Sequence, residues 1–211
     1  PRFGITTTFV DPDNPNEFTK AVKSNTRLFF AESLGNPKLD VIDLKSISDA
    51  SKKAKVPFIV DNTVASPALL NPIEHGANIV IHSLTKYLTG NGTSIGGVII
   101  DAGTFDWANG NFPEFTEPNP SYHGLNYHEA LGNIAFIAKV RIEGLRDLGS
   151  APSPFNSFQS IQGIETLDIR MKKHSENALK LAAWLSTKEE VAWVNYPGLK
   201  TSKYNTLAQK Y

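Results

Sequence analysis

Asp61-Asn62-Thr63 closes the apolar run Val56–Val60, and Lys86 follows 25 residues after Asp61, in Ser83-Leu84-Thr85-Lys86 behind Ile79-Val80-Ile81. A carboxylate, hydroxyls and a primary amine at the ends of two strands can hold one small charged molecule. Open parallel sheets bind their ligands beyond the carboxyl ends of the strands. A lysine amine that is crowded or desolvated loses its proton and bonds carbonyl carbon. Hydroxyls and amides on a turn leaving a strand cradle phosphate. Pyridoxal 5'-phosphate needs all of these: an acid against its ring nitrogen, polar groups around its phosphate and an amine for its aldehyde.

A third segment leaves a strand at the same sheet edge. Glu32-Ser33-Leu34-Gly35-Asn36-Pro37 follows Leu28–Ala31, and Pro37 favours an extended Asn36 whose amide points into a cleft. Gly90, Gly92, Gly96 and Gly97 come after the lysine at spacings that match neither the dinucleotide fingerprint nor the P-loop. They let the backbone turn tightly beside Lys86. Each segment also has a plainer reading: a strand-end Asp is commonly a turn or cap residue, most lysines are solvated, and Gly-Asn-Pro is a turn. A phosphohydrolase of the haloacid type would put a nucleophilic Asp at the Asp61 position, but it needs an acid two residues on, where Thr63 stands. His123 and His128 fit no zinc spacing. Asn91-Gly92-Thr93 matches a glycosylation acceptor by chance.

The elements that must position these groups alternate in the first half of the chain. Predicted strands are Gly4–Val10, Arg27–Glu32, Val56–Asp61, Asn78–His82 and Ile95–Asp101. Asp43 is a plausible N-cap for a helix with Leu44, Ile47 and Ala54 on one face. This order predicts an α/β fold, a mostly parallel sheet with right-handed crossovers and helices on both faces. Residues 103–126, rich in Pro, Asn and Gly, read as a long surface loop carrying Phe112, Phe115 and Tyr122. Such a loop is either functional or a peripheral insertion packed at an oligomer interface. Tyr127–Leu148 reads as one long helix. Pro152 and Pro154 interrupt, and a helical pattern resumes from Thr166 with Leu167, Met171, Ala178, Leu181 and Leu185. Val191–Val194 reads as a short strand before Pro197-Gly198. We place a domain boundary near Asp168, with 1–167 a large ligand-binding domain and 168–211 the opening of a smaller α+β domain.

Bulk properties narrow the function. The 211 residues are 40% hydrophobic and 20% charged, which is ordinary for a globular protein. Twenty-one basic residues balance 21 acidic ones, so no electrostatic footprint for nucleic acid or an anionic membrane is visible. With no cysteine, disulfides and thiolate metal sites are excluded. The lack of cysteine fits a reducing compartment, and a cytoplasmic location is expected. No segment approaches the ~20 apolar residues of a membrane span. The chain opens on Pro1-Arg2-Phe3-Gly4 and stops inside a helix-like pattern, which reads as a piece of a longer chain.

Taken in order, Glu32–Pro37, Val60–Thr63 and Ser83–Tyr87 resemble the Cys/Met-metabolism family of pyridoxal-phosphate enzymes, those of the cystathionine γ-synthase type. The resemblance continues through Ser153–Asn156, Gly163–Leu167, Arg170–His174 and Tyr196–Leu199. It implies a fold type I large domain. Lys86 would carry the cofactor covalently, Asp61 would hold its ring nitrogen, Ser83 and Thr85 its phosphate and Asn36 its phenolic oxygen. Thr63 would pack against the ring, and Arg170 and His174 would be structural. The stretch His123–Glu129 is similar to the O-acetylhomoserine sulfhydrylase branch, which implies γ-replacement with an amino-acid substrate and sulfide. Methionine γ-lyase and cystathionine γ-synthase or γ-lyase activity are the alternatives within the family. The resemblance also implies a homotetramer of active-site-sharing dimers. Family members bring an upstream ring-stacking tyrosine, a Tyr/Arg pair from a neighbouring subunit and a downstream carboxylate-binding arginine. None of these has a matching position here, so the chain alone is expected to be inactive.

Overall fold

The computed structural model describes residues 2–211. The elements run α1 (Asn16–Lys20), β1 (Phe29–Glu32), α2 (Leu44–Ala54), β2 (Phe58–Asp61), α3 (Ser66–Leu69), β3 (Ile79–Ser83) and β4 (Gly97–Asp101). They continue with α4 (Pro113–Thr116), α5 (Tyr127–Leu131), α6 (Ala135–Lys139), α7 (Arg146–Leu148), α8 (Pro154–Glu165), α9 (Leu167–Leu185) and α10 (Asn205–Lys210). The sheet has the order β1-β2-β3-β4. β1, β2 and β3 are parallel, with Glu32 opposite Asp61 and Asp61 opposite Ile81. β4 runs antiparallel to β3, pairing Ser83 with Gly97 and Ile79 with Asp101. The sheet is thus mostly parallel, as the sequence suggests, with β4 the antiparallel member: the chain between Leu84 and Gly96 holds no crossover helix, and β4 folds straight back along β3.

Alternation along the strands divides the core in two. Phe58, Val60 and Val80 pack with Leu44 and Ile47 of α2 on one face. Ile59, Ile79 and Ile81 pack on the other against Trp107, Phe112, Phe115, Tyr127 and Ala135. Residues 103–126 form the surface loop that the sequence suggests, mostly exposed and irregular, but Trp107, Phe112 and Phe115 turn inward from it. Phe112 and Phe115 are each 4% exposed, and Trp107 stacks on Phe115 and Phe136 with centroids 4.3 and 5.1 Å away. The prolines permit irregular backbone while the aromatics supply a core.

Two predicted strands are absent among the described residues. Gly4–Val10 and Val191–Val194 have no partner strand, and a lone extended segment leaves its backbone groups to solvent. Trp193 is 78% exposed. The Tyr127–Leu148 segment is helical but broken: Gly132, with φ +53°, ends α5, and the backbone switches to a wider turn over Val140–Leu145. Pro154 starts a helix instead of breaking one, since its missing N–H costs nothing at the first helical position and the Ser153 hydroxyl accepts from Asn156 N.

Asp43 caps α2 as predicted, its carboxylate accepting from Ser46 N (3.3 Å) and from the Ser46 hydroxyl (2.7 Å). Burial pushes its pKa up, but the Ser46 bonds, the Tyr211 hydroxyl and Lys210 outweigh it and the net direction is down. A lowered carboxylate gives stability that is full above its unfolded pKa, about 3.9, and fades as pH falls through the folded value. Replacing Asp43 by Ala is expected to cost about 0.5–2 kcal/mol at pH 7. In denaturant melts the deficit should shrink below about pH 4; a deficit independent of pH would refute the charged cap.

Candidate active site

Asp61, the last residue of β2, accepts from Thr63 N through Oδ1 at 2.9 Å, so its carboxylate lies over its own turn. The Thr63 hydroxyl accepts from Ser83 N, also at 2.9 Å. Thr63 therefore ties the ends of β2 and β3 together, a bond that packing against a ring did not foretell. By strand alternation Asp61 and Ser83 project to the same sheet face.

Beside this layer lies a buried hydroxyl–amide pair, Ser33 and Asn62, that the sequence reading left unassigned. The Ser33 hydroxyl donates to Asn62 Oδ1 (2.7 Å), and Asn62 Nδ2 donates to Leu70 O (2.8 Å). Ser33 N donates to Asp61 O and Asn62 N to Ile81 O. These bonds extend the ladders of β1, β2 and β3 one step past the strands and align their ends. The polar Ser33 and Asn62 at the close of apolar runs were the available signal, since such groups are buried only when paired.

Lys86 stands on a turn, Leu84–Leu88, closed by a bond from Thr89 N to Leu84 O at 3.1 Å. Within it Lys86 leaves helical geometry (φ −93°, ψ −125°), and wide turns of this kind recur at functional sites. The Lys86 side chain is exposed and Thr85 half-buried. The Thr85 hydroxyl accepts from Gly96 N (3.2 Å) and faces Gly96 O (3.4 Å), pinning the loop across β3 and β4. Asn36 is exposed on the turn after β1, where its N–H donates to Glu32 Oε2 (2.8 Å) and its peptide to Pro37 is cis.

Asn36, Asp61, Thr63, Ser83, Thr85 and Lys86 therefore follow the carboxyl ends of three neighbouring parallel strands. Among the described residues neither Asp61 nor Lys86 is in an ion pair. An unpaired acid and an unpaired amine on adjacent strand ends, with hydroxyls beside them, form a donor set that fits pyridoxal phosphate. Two cavities lie elsewhere. One, about 310 Å³, is an apolar groove between β4 and α8 that includes His82 and Ile161. The other, about 420 Å³, lies between Lys38 and Tyr204. Burial pushes the His82 imidazole down, partly offset by a hydrogen bond with the Asn62 backbone and by the Asp61 charge. It points away from the site, on the groove side of the sheet.

A mostly parallel sheet with an acid, hydroxyls and a lysine at its carboxyl edge has the groups that a pyridoxal-phosphate site would need. The family model for Cys/Met metabolism PLP-dependent enzymes matches residues 1–211, and the chain belongs to that family. It is 55% identical, over its whole length, to the O-acetyl-L-homoserine sulfhydrylase of Leptospira meyeri, covering 50% of that protein. It is 47% identical to the homocysteine/cysteine synthase of Saccharomyces cerevisiae, covering 100% of this chain and 48% of the relative. A crystal structure of a putative O-acetylhomoserine (thiol)-lyase from Campylobacter jejuni, holding N'-pyridoxyl-lysine-5'-monophosphate, superposes with a TM-score of 0.91 at 41% identity. That match covers 95% of this chain and 50% of the other. The chain spans about half the length of the curated relatives it matches.

Proposed function

We propose that the full protein to which this chain belongs replaces the acetate of O-acetylhomoserine by sulfide, giving homocysteine and acetate. The observation that carries this reading is the placement of Asp61, Ser83 and Lys86 at one sheet edge, with no ion pair to Asp61 or Lys86 among the described residues, in a chain 55% identical to an O-acetyl-L-homoserine sulfhydrylase. Pyridoxal phosphate, when bound, supplies an electron sink that acidifies the substrate's carbon next to nitrogen. Asp61 would keep a proton on the ring nitrogen by its negative charge. Ser83 and Thr85 would hold the phosphate, and Asn36 the phenolic oxygen. Thr63 keeps Asp61 and Ser83 in register. Lys86 Nζ would anchor the cofactor until the substrate's amine displaces it; the freed amine, as general base, would then take a proton from Cα and one from Cβ and return both once sulfide stands in place of acetate at Cγ.

The long helix α9, with only Leu167, Met171 and Ala182 buried, supports a second domain opening near Asp168. The family resemblance supports a homotetramer and a cytoplasmic location; among the described residues no helix is long and apolar enough to cross a membrane.

The full-length protein, given O-acetylhomoserine with sulfide, cysteine or no acceptor, separates the readings. Homocysteine formed from sulfide at a rate well above cystathionine formation or 2-oxobutanoate release is expected. Dominant 2-oxobutanoate would move the assignment to a γ-lyase, and dominant cystathionine to a cystathionine γ-synthase.

A further inference from the structure

Arg170, in the first turns of α9, makes an unusual set of bonds. Its Nη1 donates to Tyr87 O at 2.8 Å, and its Nη2 to Leu88 O at 3.3 Å and Gly163 O at 2.6 Å. Its Nε donates to the Thr166 hydroxyl at 3.1 Å. One guanidinium thus joins the last two carbonyls of the lysine turn to the end of α8 and the start of α9. The carbonyls that close a helical turn otherwise have no partner, and a charged donor makes the stronger bond. The planar fork reaches several acceptors at once, which an ammonium does not.

The surroundings are shaped for this group. Gly90 has φ +82°, and a Cβ there would lie 2.7 Å from Arg170 Nη1 and 2.8 Å from Cζ. One helical turn beyond Arg170, the His174 ring meets Tyr87 with centroids 5.8 Å apart. The Thr89 hydroxyl donates to Ser160 Oγ at 3.0 Å. The turn is held from the α8–α9 side while the Lys86 side chain stays exposed.

We propose that Arg170 is a positioning residue for Lys86: its guanidinium fixes the Leu84–Leu88 turn in the non-helical form that presents Nζ to the cofactor aldehyde. This rests on the function proposed above and deepens it. A lysine displaced by an ångström loses about 100-fold in rate.

The test uses the full-length protein with Arg170→Ala and Arg170→Lys. Amide exchange over residues 84–90 is followed in the cofactor-free protein, and cofactor capture by absorbance and by borohydride labelling of Lys86. Arg170→Ala should speed exchange in that segment, slow capture and lower kcat about 100-fold, with a smaller change in KM. Added guanidinium should partly restore capture to Arg170→Ala. Arg170→Lys should fall between, because it offers one point donor. If wild-type protein labels at Lys86 and Arg170→Ala captures cofactor as fast with unchanged exchange, the clamp is refuted while the site stands. If wild-type protein never labels at Lys86, the functional reading fails first and takes this inference with it. Should Arg170→Ala not fold, Arg170→Lys is read by the same two measurements: faster exchange over residues 84–90 with slower capture supports the clamp, and wild-type values for both refute it.

Discussion

Replacing Lys86 by Ala in the full-length protein is expected to lower turnover by about 10²–10⁴-fold, the range for losing a positioned general base. Loss of the covalent anchor adds to this. The visible absorption of lysine-bound cofactor should vanish, and borohydride should label no residue in the segment. Stability should barely move, because the Lys86 side chain is exposed and makes no ion pair among the described residues. Lys86→Arg should fail equally, since a guanidinium does not give up its proton near neutral pH. Asp61→Asn provides a contrast: the amide can still accept from Thr63 N, so the turn survives while the charge opposite the ring nitrogen is lost. That variant should bind cofactor and turn over poorly. Turnover retained by Lys86→Ala would end the assignment.

Why the site was readable before the fold was complete follows from where its residues stand. Asp61 directly follows one short apolar run, and Ser83 and Lys86 come soon after another, so local pattern placed them at or just past strand ends, and parallel pairing put those ends on one edge. Asp43 was legible for the same reason, as a capping acid before an apolar stripe. What escaped depended on partners distant in sequence. Gly4–Val10 has the alternation of a strand, but a strand exists only when another pairs with it. The direction of β4 is set by how the chain from Leu84 to Gly96 folds, which no periodicity encodes. Trp107, Phe112 and Phe115 sit among prolines and asparagines, yet together they cover Ile59, Ile79 and Ile81. Their aromatic density outweighed their turn-rich setting. Arg170 read as a structural helix residue, and its link to the lysine turn spans more than eighty positions.

Gly163→Ala is expected to destabilise the protein even though alanine is the better helix former by about 1 kcal/mol. A Cβ at Gly163, in α8, would lie 2.1 Å from Thr89 O, 2.6 Å from its carbonyl carbon and 2.7 Å from its Cα. These are backbone atoms at the end of the lysine turn, so no rotamer change relieves the contact. Either α8 moves away or the turn does. Moving α8 would strain the Ser160–Thr89 hydroxyl pair and the Arg170 bonds to Gly163 and Leu88, and overpacking of this kind costs about 1–3 kcal/mol. Displacing the turn moves Lys86, so turnover should fall together with the denaturation midpoint. Gly144→Ala is the matched control, for a Cβ there meets only Val140 Cγ1 at 3.9 Å, and it should be neutral or gain up to about 1 kcal/mol. Equal midpoints for the two variants would mean that α8 does not rest on the lysine turn at Gly163.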